Sequence, residues 1–288
     1  MREIDLEYHI IGEGKQTLVL ETGIGNSFYS WIPFVDRIKN DFTVILYHRA
    51  GYGKSGTSPE PRTTANIARE LNDLMEHLQI DRFLLAGHSF GGLCAQAYAR
   101  MYPGKLDGVL LIDATSHNFQ RLYDLNLPVM YSMISLEQLI EDNEEIAGKS
   151  RAELEEWHKE RNRELLGEDE AFLTNPVLYQ TIADEFTNWS ASSEEIKNGE
   201  AFPDIPLIVI ARDEEFSAKP YIAYGIPEEE ALLHEKVWRE LQVVIAQLSE
   251  KGKLVIAEGS DHEVHKDRPE IVVECLHRLK EGQVPRPT

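Results

Sequence analysis

A serine between two glycines, Gly87-His88-Ser89-Phe90-Gly91, follows the apolar run Phe83-Leu84-Leu85-Ala86 and precedes a helical pattern of Leu93, Ala97 and Met101. That arrangement suits nucleophilic chemistry. A serine on a sharp strand-to-helix turn holds a strained backbone, and Gly87 and Gly91 supply the room the turn needs. The turn lifts the Ser89 hydroxyl above the sheet. The Phe90 N–H, in the first turn of a helix, has no intrahelical acceptor and can hold a developing oxyanion. A serine hydroxyl also needs a base to take its proton, and an imidazole titrating near neutral pH suits that task.

Further elements must surround such a turn. Apolar runs bounded by turn residues recur at Leu18–Leu20, Thr43–Tyr47, Phe83–Ala86, Val109–Ile112, Leu207–Ile210 and Leu254–Ile256. Continuous rather than alternating apolarity predicts strands covered on both faces, hence a parallel sheet. Helical spacing lies between them, at Ile67, Leu71, Leu74, Met75 and Leu78, and again at Ile271, Val272, Cys275 and Leu279. Alternating strands and helices predict an α/β doubly wound, mostly parallel sheet. From Ala114 to Pro203 only amphipathic helical patterns occur, Leu136–Ile146, Arg151–Leu166 and Val177–Trp189. The expectation is a core of residues 1–115 and 203–288 with a helical cap, 116–202, inserted between two strands. The Pro285–Thr288 tail is expected to fray.

Composition narrows the function classes. The 288 residues are 42% hydrophobic, and fifty acidic against twenty-nine basic side chains give a formal net charge of −21. That charge repels nucleic acid and anionic membrane surfaces, leaving a small molecule as the expected partner. Cys94 and Cys275 are far apart and form no disulfide framework or C-x-x-C site. The polar Met1–Gly14 segment lacks an apolar leader core, and no run approaches a membrane span, so a cytoplasmic protein is expected. His262 and His265 with Asp261 and Glu263 form no wider ligand cluster, and no glycine loop cradles a phosphate. No metal or cofactor is expected.

Four landmarks together resemble the α/β-hydrolase family. Glu21-Thr22-Gly23-Ile24-Gly25 resembles its oxyanion loop, with Thr22 in place of a histidine. His48-Arg49-Ala50-Gly51-Tyr52-Gly53-Lys54-Ser55 resembles its D-x-R-G-x-G-x-S turn, with His48 directly before Arg49. The third landmark is the serine turn, and the fourth is Gly259-Ser260-Asp261-His262 followed by Arg268-Pro269-Glu270. The resemblance implies acyl transfer through Ser89, with His262 as base and the backbone N–H groups of Ile24 and Phe90 as the oxyanion hole. His88, beside the serine, is expected to pack, since successive side chains on the turn point apart. His265 is the rival to His262.

The acid that orients His262 has two candidate locations. Family members commonly carry it after the penultimate strand as G-x-x-D. Here that loop reads Ala211-Arg212-Asp213-Glu214-Glu215, so Asp213 falls one position early and the register selects Glu214. Asp113, ending Val109–Ile112, is a position that a minority of the family uses, and it is preferred here. The implied activity is hydrolysis of small or medium carboxylic esters, lactones included. Phe119, Leu122, Leu127 and Met130 are expected partly to pack the cap and partly to line an apolar acyl pocket. The same fold also serves C–C bond hydrolases and aminopeptidases, for which Asp142–Glu145 and Glu194-Glu195 could hold a substrate ammonium, and hydrolase-fold receptors. Oligomeric state is not readable from the sequence.

Overall fold

A computed structural model of the chain describes residues 5–161 and 167–282. The Pro285–Thr288 tail, Met1–Ile4 and the last residues of the predicted Arg151–Leu166 helix lie outside that range. Among the described residues, seven strands form one sheet: β1 (Tyr8–Ile11), β2 (Gln16–Glu21), β3 (Phe42–Tyr47), β4 (Phe83–His88), β5 (Leu106–Ile112), β6 (Leu207–Arg212) and β7 (Gly252–Ala257). Their order is β1-β3-β2-β4-β5-β6-β7. All neighbours are parallel except β1, which runs antiparallel to β3. β1 escaped the sequence reading because it is a four-residue edge strand with mostly exposed side chains, so no apolar run marks it.

The helices are α1 (Ile32–Val35), α2 (Thr64–His77), α3 (Phe90–Met101), α4 (Gln120–Tyr123), α5 (Pro128–Met133), α6 (Leu136–Ala147), α7 (Arg151–Glu160), α8 (Glu168–Leu173), α9 (Pro176–Thr187), α10 (Trp189–Asn198), α11 (Glu214–Tyr224), α12 (Glu228–Ala246), α13 (Val264–Asp267) and α14 (Pro269–Lys280). Seven of them, α4 to α10, lie between β5 and β6, in the stretch predicted to be helical. The period-two alternation of the strands divides their side chains between two cores. Val19, Ile45, Leu85, Val109, Leu111 and Val209 face one side, under α2, α3 and the end of α12. Leu18, Leu20, Val44, Leu84, Leu110, Ile208 and Ile210 face the other, against Phe28, Trp31, Phe34 and α14. Helices on both faces explain why the strands are apolar without interruption.

Strand order sets the place of the site. β2 has β3 on one side and β4 on the other, so the chain reverses its winding direction there. A crevice opens at the carboxyl ends of the strands flanking such a switch point. The loop after β2 carries Ile24, and the turn after β4 carries Ser89.

The inserted helices have their own small core of Leu154, Phe172, Leu178, Tyr179, Ile182 and Phe186, completed by Tyr52 from the sheet side. α9 packs tightly on the loop after β3. Gly51 sits at φ +88°, and a Cβ there would lie 2.1 Å from Thr181 Oγ1 on α9. Gly51→Ala therefore combines backbone strain with overpacking and should cost about 2–4 kcal/mol in urea unfolding. Adding Thr181→Ala should return only the packing part. An alanine at 51 that leaves the urea midpoint unchanged would mean that α9 does not sit on this turn.

Candidate active site

Ser89 follows β4 at φ 54°, ψ −125° and stands immediately before α3. Neighbouring strands hold that conformation: the Ser89 N–H donates to Ile112 O (3.2 Å), and Ser89 O accepts from Thr115 N (2.9 Å) and Gly92 N (2.9 Å). The turn closes tightly on the loop after β2, where a Cβ on Gly91 would stand 2.2 Å from Glu21 O. Phe90 opens the helix, and Arg49 lies beneath its ring at 5.4 Å. In the loop across the cleft, the Thr22 hydroxyl donates to Asn26 O (3.1 Å), closing the turn that presents Ile24.

Asp113 and His262 are brought together. The Asp113 carboxylate is fully buried, and its Oδ2 lies 2.6 Å from His262 Nδ1. With Nδ1–H donating there, the lone pair of Nε2 is left on the opposite edge of the ring. Asp113 sits at φ 41°, held by its N–H donating to Ile210 O (2.7 Å). Its Oδ1 accepts from Trp238 Nε1 (2.8 Å) and Arg212 N (3.3 Å), and Arg212 Nη1 donates to Oδ2 (3.0 Å). Burial works against the charge of Asp113, yet Arg212 and the hydrogen bonds from His262 and Trp238 hold its carboxyl well below the usual range. Arg212 Nη1 also lies 3.3 Å from His262 Nδ1. Both nitrogens carry hydrogen, so that approach reflects their shared acceptor rather than a bond between them. Glu235 receives the other edge of Arg212 with two contacts of 2.7 Å, which returns a negative charge to the cluster.

The alternative acids are engaged elsewhere. Asp213 caps α11, with Oδ1 accepting from Glu215 N (3.0 Å) and Phe216 N (3.1 Å), and its Oδ2 accepts from Gly259 N (2.9 Å). Glu214 pairs with Arg239 at 3.3 Å. The acidic stretches considered for a substrate ammonium lie on exposed helix faces: Asp142 accepts from Gln138, Glu145 pairs with Lys149, and Glu194 with Lys197. Three of the apolar side chains after β5 take the packing role. Leu122 packs with Val237 and Leu241, and Leu127 and Met130 with Ala218, Ile226 and Ala231, so these side chains anchor the segment to α11 and α12. Phe119 stacks on Trp189 at 4.8 Å.

Sequence reasoning missed Arg212, Glu235 and Trp238. The available signal was an arginine continuing the buried strand Leu207–Ala211, with Glu235 and Trp238 one turn apart on α12. His48 serves structure: its Nε2 accepts from Phe28 N–H (3.2 Å), so Nδ1 carries the proton donated to Glu7 (2.7 Å). Among the described residues, no group of three or more His, Cys, Asp or Glu side chains is placed to hold a metal. A cavity of about 650 Å³ lies beside α2, lined by Asp5, Tyr8, Glu60, Asp73 and His77 and not by Ser89.

Two further histidines back the site. His88 Nε2 donates to His262 O (3.0 Å), and its ring centroid lies 4.7 Å from that of His262. His265 stacks on Trp31 at 3.6 Å. Burial, reinforced by His262 beside it, pushes His88 down to about 4, and burial with His88 nearby pushes His265 down to about 3. An unfolded histidine titrates near 6.5, so between about 4 and 6.5 the unfolded chain binds more protons than the native one. Stability present above that window is lost as pH falls through it, by up to about 1.4 kcal/mol per pH unit for each histidine. Urea midpoints from pH 4.5 to 7 should show this slope. Buried His117 and His48, both pushed down as well, add to it, so His265→Phe, which keeps a ring on Trp31, should remove only one histidine's share; an unaltered slope would exclude His265 as a source.

The profile of the α/β hydrolase fold family matches residues 16–195, well over half of the chain. The Bacillus subtilis protein YqjL, itself uncharacterised, is 26% identical over 269 residues, covering 92% of this chain and 83% of YqjL. Among solved structures, a thermophilic esterase from Thermogutta terrifontis superposes with a TM-score of 0.65 at 18% identity, over 98% of this chain and 95% of the esterase. Est816, described as an N-acyl homoserine lactone degrading enzyme, superposes with a TM-score of 0.64 at 18% identity, over 96% and 97% of the two chains. With its parallel sheet, strained serine turn and matched profile, the chain belongs to the α/β-hydrolase fold family and is an α/β-hydrolase.

Proposed function

We propose that this enzyme is a serine hydrolase of small or medium carboxylic esters, lactones among them, working through an acyl-enzyme. The observation that carries the reading is the 2.6 Å pairing of His262 Nδ1 with a fully buried, ionised Asp113, on the same sheet edge as the strained Ser89. Asp113 fixes the tautomer in which His262 Nε2 is basic and stabilises the imidazolium that forms. Nε2 takes the Ser89 proton as Oγ bonds to the ester carbonyl carbon. The carbonyl oxygen becomes an oxyanion, held by the N–H groups of Ile24 and Phe90. Collapse breaks the bond to the alkoxy oxygen, which leaves with the proton from His262. Water then repeats the sequence on the acyl-enzyme, giving the carboxylic acid and free Ser89.

Serine at the turn favours an acyl intermediate, whereas relatives of this fold that open epoxides or displace halide use aspartate there. None of the steps requires a metal or cofactor. The division into a core of 1–115 and 203–288 and a cap of 116–202 belongs to the same proposal: the cap would cover Ser89 and present an apolar surface to the substrate.

A fluorophosphonate should label Ser89 in the wild type and leave Ser89→Ala unlabelled, with ester turnover lost. Asp113→Asn should lower kcat by about 10⁴, as when a triad acid becomes its amide. Asp213→Asn should leave turnover nearly unchanged, since Asn caps α11 as well as Asp, and should cost about 1 kcal/mol of stability through the lost acceptor for Gly259 N–H. Turnover surviving in Ser89→Ala, or an Asp213→Asn enzyme crippled beside an active Asp113→Asn, would overturn the assignment. A panel of chromogenic esters, lactones and aminoacyl amides separates the ester reading from aminopeptidase activity.

A further inference from the structure

Directly under the loop after β2 lies a buried polar cluster that the proposed proton transfers do not use. Arg49 is 1% exposed, Glu185 on α9 is fully buried, and Arg49 Nε and Nη2 reach the two oxygens of Glu185 at 2.9 and 3.1 Å. The remaining hydrogens of the guanidinium point at the loop. Nη1 donates to Glu21 Oε1 (2.7 Å) and Thr22 O (2.7 Å), and Nη2 to Gly23 O (3.3 Å). Tyr52 completes the frame: its hydroxyl donates to Glu185 Oε2 (2.6 Å) and accepts from Gly25 N (2.9 Å). Three groups of one short loop, Thr22 O, Gly23 O and Gly25 N, are thus held by two side chains that both end on Glu185.

The consequence follows from peptide geometry. In a trans peptide the C=O and the next N–H point in opposite directions in one plane, and the described chain has no cis bonds. Holding Gly23 O toward Arg49 therefore turns the Ile24 N–H to the side away from the guanidinium. Gly23 itself lies against the serine turn, where a Cβ on it would stand 3.2 Å from Ser89 Cβ. Arg49 also lies under the rings of Tyr52 (4.6 Å) and Phe90 (5.4 Å), so one cation braces both sides of the proposed oxyanion position. α9 rests on the same loop through Ile182, whose Cδ1 would be 3.2 Å from a Cβ on Gly25.

We propose that Glu185 is a positioning residue for the oxyanion hole: through Arg49 and Tyr52 it sets the direction of the Ile24 N–H, so the hole is complete only with α9 seated on the loop. The inference rests on the acyl-transfer reading of Ser89. It gives the inserted helices a part in transition-state stabilisation that is separate from any contact with substrate. A neutral amide at 185 would turn one N–H toward Arg49 and release the frame, leaving the Gly23–Ile24 peptide held only by the 3.3 Å bond that Asn26 N donates to Gly23 O.

The test uses the full chain, p-nitrophenyl acetate as substrate and phenylboronic acid as a probe that forms a tetrahedral adduct on the serine. Removing an oxyanion donor outright costs on the order of 10²–10³ in rate, so a misdirected one in Glu185→Gln should lower kcat about 10–100-fold. KM should stay within about threefold, because the interaction is made only in the transition state. Affinity for the boronate should fall by about the same factor as kcat/KM. Tyr52→Phe removes one arm of the frame and should lower both quantities together by a smaller factor, a readout that remains if Glu185→Gln fails to fold. Met75→Ala loosens the sheet core under α2, away from the frame and from α9; it should lower Tm and leave kcat and boronate affinity within about threefold. The proposal is overturned if Glu185→Gln folds with unchanged kcat and boronate affinity, if Tyr52→Phe leaves both unchanged, or if Met75→Ala reproduces both losses. Ester turnover surviving in Ser89→Ala would instead remove the reading on which the inference stands.

Discussion

Two adjacent strands end on residues whose backbones L-amino acids avoid, and the site depends on their being held there. Ser89 follows β4 at φ 54° and Asp113 follows β5 at φ 41°. Such conformations cost about 1–3 kcal/mol each and persist only where the surroundings leave no alternative. Here the restraint is mutual: the Ser89 N–H is tied to the last residue of β5, and the Asp113 N–H to Ile210 of β6. Because these strands are buried on both faces, neither end can relax without disturbing a core. Each side chain is thereby turned out of the alternation of its strand and up over the sheet edge, where His262 meets Asp113.

Two guanidiniums extend this order into the loops. Arg49 lies between Glu21 and Glu185, and Arg212 between Asp113 and Glu235, with side chains at most 6% exposed. Burying a charge is costly, and an ion pair inside a protein seldom adds much stability over an apolar substitute. What a planar fork with five donors adds is direction, since each arginine fixes several acceptors at once. Arg49 orders the loop after β2, and Arg212 orders the carboxylate after β5. Each joins an element of the sheet to a helix remote in sequence, α9 in one case and α12 in the other.

The sheet was legible because strands covered on both faces are apolar throughout, and the serine turn because glycine is required where its backbones nearly touch. The edge strand Tyr8–Ile11 was not, since most of its side chains stay exposed and form no apolar run. Preference for Asp113 over Asp213 came from register, and the structure supplied the physical reason that register alone lacked: the Asp213 carboxylate is consumed by the backbone amides of α11 and of Gly259. Apolar side chains after β5 were legible as buried but not in their partners. Leu122, Leu127 and Met130 meet α11 and α12, more than eighty residues further along the chain, and no local pattern encodes such a meeting. Arg49–Glu185 is invisible for the same reason, as its partners are 136 residues apart.

The two aspartates at neighbouring strand ends bear on how such a site changes over generations. Asp113 occupies the post beside the imidazole, while Asp213, within a residue of the post most relatives use, has settled into capping a helix. A lineage can therefore hold both carboxylates at once, each with a structural occupation when it is not orienting the histidine. In the proposed triad, passing that duty between neighbouring strands needs no stage without a carboxylate, because the cap gives Asp213 an occupation of its own while Arg212, the residue before it, reaches the carboxylate of Asp113.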